Sequence, residues 1–187
     1  MKLILSLFLM FIGIGLKASP MAYFYLQPYG DFSQKEAQKV GEQLIAKLKK
    51  TYDGAFKVVK ILPNKSLPSK AYYKPKNRYL ANELLKDLPD YSFPVYVIGL
   101  THKDISYKIH GRSNYGIMGL TPRGYCKSII SDYRIKGQNF VKVIIHEIGH
   151  GLLYAKHCKN PNCIMCDFSY LKNKSYVLKL CKAHSYM

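Results

Sequence analysis

The spacing of hydrophobic and polar positions changes several times along the chain, and each change marks an element. Tyr23 to Gln27 fits a strand. Ser33-Gln-Lys-Glu36 then reads as a capping box, in which a hydroxyl and a carboxylate satisfy free backbone donors, and it opens a helix with Ala37, Val40, Leu44 and Leu48 on one face. Phe56 to Leu62 is a second strand, and the Pro- and Lys-rich stretch Pro63 to Lys76 a long surface loop. Asn77 is placed to cap a second helix carrying Leu80, Leu84, Leu85 and Leu88. Pro94 starts a buried strand, Val95 to Gly99, and two more strand candidates, Gly116 to Leu120 and Cys126 to Ser131, flank the turn Thr121-Pro-Arg-Gly124. The apolar run Phe140 to Ile145 leads into His146 and is fit to bury a helix. This alternation predicts an α/β (α+β) fold on a mixed sheet.

The start of the chain has a different character. Met1-Lys2, an almost wholly apolar run from Leu3 to Leu16 and then Lys17-Ala18-Ser19 read as a secretory signal, residues 1–18, leaving a single domain, 19–187. The apolar run is short for a membrane span, so the expectation is export to the periplasm or medium, with membrane attachment only if the segment stays uncleaved. A length of 187 residues with 48% hydrophobic suits one globular core. The formal net charge of +18 is carried by lysines scattered along the chain, a pattern of solvated faces that still attracts acidic partners. Lys70-Ala-Tyr-Tyr-Lys74 interleaves basic and aromatic residues as a nucleotide-stacking surface does. A basic binding module for nucleic acid or an acidic partner is therefore the alternative to be weighed against an enzyme.

His146-Glu147-Ile148-Gly149-His150 weighs against that alternative. Residues four apart share one helix face, so two imidazoles can grip one metal ion. Glu147, about 100° round the helix, can instead reach a water on the open side of the ion, where a general base belongs. Nothing in nucleic-acid binding calls for that carboxylate. Catalytic zinc needs a third ligand, and His157 is the candidate. An unbroken helix would carry it about 10 Å past His150 along the axis, so the chain must leave the helix soon after His150 and turn back. Gly151 is the only glycine in that interval, which leaves the place of the bend open. His102 and His110 lack ligand spacing and are read as surface residues.

Beyond His157 stand Cys158, Cys163, Met165 and Cys166, and then Cys181-Lys-Ala-His184. Soft ligands in two pairs suggest a second, closed zinc site, although five cysteines in an exported chain also permit two disulfides and a free thiol. At these residues the sequence resembles the archaemetzincins (archaelysins), zinc peptidases whose pattern joins HExxH, a third His, an adjoining Cys, a second Cys, a methionine turn and a CxxC. The likeness continues upstream through Tyr25-Leu-Gln-Pro-Tyr-Gly30, Pro75-Lys-Asn-Arg-Tyr79, Val97-Ile-Gly-Leu-Thr101 and Tyr115-Gly-Ile-Met-Gly-Leu120.

The resemblance implies a zincin-like metzincin fold, with a twisted mixed sheet, an active-site helix and a zinc-clipped C-terminal segment. It implies catalytic zinc on His146, His150 and His157, with Glu147 activating a zinc-bound water and Met165 as an apolar floor. It also implies structural zinc on Cys158, Cys163, Cys181 and His184, hence two Zn2+ per chain. A peptide or protein substrate would lie extended along the sheet edge beside the active helix, on a monomer, with no specific nucleic acid partner. Three departures stand out. Six residues rather than five separate His150 from His157, and the family's bend glycine is absent; His184 replaces the last Cys; and Cys166 could substitute for Cys163.

Overall fold

The computed structural model describes residues 21–185 except 53–54, 110–111, 136 and 172–173, so the expected signal segment and His110 lie outside the described residues. In chain order the elements are β1 (Met21–Pro28), α1 (Gln34–Thr51), β2 (Ala55–Ile61), β3 (Tyr72–Tyr73), β4 (Arg78–Leu80), α2 (Ala81–Asp87), β5 (Val95–Thr101), β6 (Ile105–Ile109), β7 (Arg112–Ile117), β8 (Gly119–Leu120), β9 (Lys127–Ser131) and α3 (Gln138–Leu153).

Two sheets form where one was expected. The larger has the order β2-β1-β5-β9-β8, its first four strands parallel and β8 antiparallel at the edge. The smaller has the order β3-β4-β6-β7. Side chains on a strand alternate between faces, and here both faces are covered. Phe24, Leu26, Ile98 and Ile130 pack with Leu44 and Leu48 of α1 and with Ile144, Ile145 and Ile148 of α3. On the other face Val97 and Ile129 pack with Leu84, Leu85 and Leu88 of α2 and Ile105 of β6. Burial on both sides explains why β5 reads as a nearly continuous apolar run. No helix among the described residues is long and apolar enough to cross a membrane.

The capping box forms as the sequence indicates: Ser33 Oγ accepts from the Glu36 N–H at 3.2 Å, and the Ser33 N–H donates to Glu36 Oε2 at 2.8 Å. The second helix departs from expectation. Asn77 caps nothing there; it takes a left-handed conformation (φ 49°) that closes the short 3₁₀ turn Lys74–Lys76. Leu80 sits in β4, because residues 78–80 are drawn into pairing with β3 and β6, and α2 begins only at Ala81. The stretch Pro63 to Lys76 is likewise not all loop, since it holds β3 and two 3₁₀ turns.

The expected strand Gly116 to Leu120 is divided at Met118 between the two sheets. Asp104 anchors this crossover. Its carboxylate accepts from Arg78 Nε (2.6 Å) and from Arg134 Nε and Nη2 (both 2.8 Å), and the Arg134 guanidinium fills the space above Gly116. The result sets β8 beside α3.

Candidate metal centre and active site

Helix α3 is buried from Val143 to Gly151. Two glycines in it leave room for neighbours: a Cβ on Gly149 would collide with Met165 Sδ, and one on Gly151 with the Tyr96 hydroxyl. Met165 thus lies directly against the helix between the two histidines. Tyr52 braces the same region, donating from its hydroxyl to the Ile145 carbonyl at 3.2 Å.

The three histidines converge. His146 and His150 each direct Nδ1 to a backbone carbonyl, of Ile164 and Ala155 respectively, both at 2.7 Å. A carbonyl only accepts, so in the neutral rings the proton sits on Nδ1 and each Nε2 presents a lone pair. The Nε2 atoms of His146, His150 and His157 stand 3.0–3.1 Å apart. Lone pairs aimed at one another repel, and a cation among them converts repulsion into ligation. This donor set of three imidazoles with one open side fits zinc. Burial lowers His146 to about 3 and His150 to about 4, and lowers His157 as well, which keeps the rings neutral as ligands must be. His157 lies on the exposed side of the trio, with Asp167 Oδ2 3.6 Å from its Nδ1. The Tyr176 ring lies 4.7 Å from that of His146.

Glu147 lies beside this trio, 7% exposed, and its Oε2 has no hydrogen-bond partner among the described residues. Burial pushes its carboxyl up to about 7, against the opposing pull of the Thr121 hydroxyl. Gly119 of β8 makes the space for it.

The bend that brings His157 back is not at Gly151. Helix α3 runs on to Leu153, and Tyr154 turns the chain in the left-handed region (φ 53°, ψ 18°). The Tyr154 ring occupies the space over Gly124, itself at φ +76° and without a Cβ to obstruct it. Tyr52, Tyr154 and Tyr176 carry no local signal, because each acts through a partner distant in sequence.

Cys158, Cys163, Cys181 and His184 form a second cluster, their donor atoms all within 4.8 Å of one another. His184 Nδ1 is 3.4 Å from Cys163 Sγ and 3.3 Å from Cys181 Sγ. Three soft sulfurs and an imidazole suit a closed zinc site, whereas burial otherwise drives the Cys163 thiol up to about 12. All five cysteines are free, so the two-disulfide arrangement is not found. Cys166 stays outside the cluster: its backbone bridges to Cys158 and its Sγ meets the Asp167 carbonyl at 3.4 Å. His102 is half-buried rather than a plain surface residue, with Nδ1 2.9 Å from Asp132 Oδ1 and its ring stacked on Phe32.

A parallel-stranded sheet with one antiparallel edge strand set beside a His-Glu-x-x-His helix defines a zincin-like fold. No family model matches the sequence. The archaemetzincin of Methanocaldococcus jannaschii is 28% identical over 153 residues, spanning 75% of this chain and 77% of that protein. The crystal structure of archaemetzincin from Archaeoglobus fulgidus, complexed with malonate, matches with a TM-score of 0.67 at 25% identity, covering 88% of this chain and 98% of that one. That of Methanopyrus kandleri matches with a TM-score of 0.71 at 22% identity, covering 89% and 92%. The chain resembles the archaemetzincins in sequence and shares their fold.

Proposed function

We propose that the protein is a zinc metallopeptidase of the archaemetzincin kind, hydrolysing peptide bonds in a peptide or protein substrate with Glu147 as general base. The observation that carries this reading is the trio of converging Nε2 lone pairs set beside a buried carboxylate with an unpartnered oxygen. A zinc ion held by His146, His150 and His157 would supply Lewis acidity, making water a nucleophile near neutral pH and polarising the carbonyl under attack.

The chain's own residues supply the remainder. Glu147 takes the proton of the attacking water at its free oxygen and passes it to the leaving amine; a carboxyl near 7 is suited to both transfers. The free edge of β8 offers backbone groups for an extended substrate to add as a strand. The Ile164 and Ala155 carbonyls hold the imidazoles in the tautomer that ligation needs. Cys158, Cys163, Cys181 and His184 would hold a second, structural zinc that clips the C-terminal segment to the end of α3.

Elemental analysis of the purified protein and hydrolysis of peptides by Glu147→Ala test the reading together. The variant is expected to keep its zinc and lose turnover by about two orders of magnitude or more, as removal of a general base does. Unchanged cleavage refutes the mechanism.

A further inference from the structure

The turn after β8 forms a wall of the site. Thr121, its first residue, donates its hydroxyl to Ser128 Oγ at 2.8 Å and lies near enough to Glu147 to pull its pKa down, and Gly124 donates its N–H to the His150 carbonyl at 3.3 Å. The Tyr125 carbonyl packs so closely on the helix that a Cβ on Gly151 would lie 2.8 Å from it. Arg123 is therefore bracketed between a residue that acts on the general base and one bonded to the backbone of a metal-binding histidine. Its side chain is exposed, and its charge acts on the His150 ring.

Arg78 and Arg134 are both committed to Asp104. Arg123 makes no hydrogen bond or ion pair among the described residues. An exposed, unpaired arginine holds no part of the fold together. Placed beside a site for a divalent cation it is repelled, and a substrate that brings an anion to that position offsets the repulsion.

We propose that Arg123 determines substrate specificity by recognising a carboxylate on the substrate residue lying over His150. The planar guanidinium presents a donor fork that matches a carboxylate bidentately, which a lysine cannot reproduce. The carboxylate belongs to an Asp or Glu side chain or to a free C-terminus. The inference takes the nature of its ligand from the peptidase reading, but it concerns binding and is measured without turnover.

The test is fluorescence anisotropy of labelled short peptides on the zinc-loaded full chain. One series is C-terminally amidated with a single Glu moved through each position; another has Gln throughout and a free C-terminus; a third has Gln throughout and an amide. The wild type should bind one carboxylate-bearing peptide about tenfold tighter than its neutral counterpart. Arg123→Gln should abolish that ratio while leaving zinc content and melting temperature in place, and Arg123→Lys should keep part of it. Lys49→Gln in α1, which removes one positive charge elsewhere, should keep all of it. A preference in the Glu series assigns a side-chain carboxylate; one in the free-terminus series alone assigns the C-terminus. No preference in the wild type, or the same ratio in Arg123→Gln, overturns the proposal, and binding of no peptide at all overturns it too. If peptides bind with the preference but none is cleaved, Arg123 stands and the peptidase reading falls.

Discussion

Replacing Gly119 with alanine asks whether the general base is held in place by the space a glycine leaves. A Cβ at that position would stand 2.7 Å from Oε1, 2.8 Å from Cγ and 2.9 Å from Cδ of Glu147. Non-bonded heavy atoms rest about 3.5 Å apart or more, so the carboxylate must retreat by roughly 0.7 Å. It has little room to do so, being 7% exposed and walled by α3 and Thr121. Gly119 is not among the positive-φ glycines, so the new methyl brings no backbone strain. Overpacking of this size costs about 1 kcal/mol, or about 2–4 °C in Tm for a chain of this length. Catalysis is more sensitive, because a displacement approaching 1 Å in a reacting group costs up to about 10²-fold. Steady-state peptide hydrolysis by Gly119→Ala should therefore show kcat reduced about 30- to 100-fold with KM little changed. Elemental analysis should show zinc retained, since the nearest neighbours of the new methyl all belong to Glu147. Full kcat with zinc intact would refute the reasoning; parallel loss of zinc and activity would show that the helix, not the base, had moved.

Three further outcomes are expected. Cys181→Ser should lower Tm by about 5–10 °C and weaken zinc at His146, His150 and His157 as well, as loss of a structural site worth a few kcal/mol would; two ions with full stability would point to other ligands. Tyr154→Ala should bind zinc more weakly than Tyr154→Gly, because alanine keeps the left-handed strain of about 1 kcal/mol and loses the ring over Gly124, whereas glycine removes the strain; equal affinities on metal titration would discount the bend. In the metal-free protein His146 and His150 protonate near 3 and 4 against an ordinary 6.5, so below about 6.5 the unfolded chain takes these protons first and stability falls, by up to about 1.4 kcal/mol per pH unit for each ring. Glu147, raised to about 7 from 4.5, works the other way, favouring the fold as it protonates. Denaturant titrations from pH 7 to 4 should thus show a steeper acid loss in metal-free Glu147→Gln than in the wild type, and parallel curves would contradict it.

What was legible in the sequence was local or chemical. The Ser33–Glu36 box lies within one helical turn, and the burial of α3 follows from its own apolar residues. His146, His150 and His157, and Cys158, Cys163, Cys181 and His184, could be named before any fold was known because ligand chemistry selects residue types and the resemblance to the archaemetzincins chooses among them. What was not legible depends on distant partners. Asn77 resembles a helix cap until β4 is drawn to β6, and the bend at Tyr154 depends on a glycine well upstream. Cys163 and Cys166 were hard to separate by spacing alone; the backbone bridge between Cys158 and Cys166 turns the second thiol away. Two sheets in place of one follow from the Asp104 cluster, whose three members are far apart in the chain.

The segment from Cys158 to Cys166 serves both clusters. Ile164 gives its carbonyl to His146 and its N–H to the Lys179 carbonyl at 2.7 Å, Cys163 before it faces the sulfur set, and Met165 after it lies against α3. An ion entering either set fixes this segment, so an ion entering the other finds part of the ordering already done. Such coupling is reciprocal. Zinc uptake should accordingly be cooperative, with native mass spectra dominated by empty and doubly loaded chains at intermediate zinc. As free zinc falls, departure of one ion should hasten departure of the other.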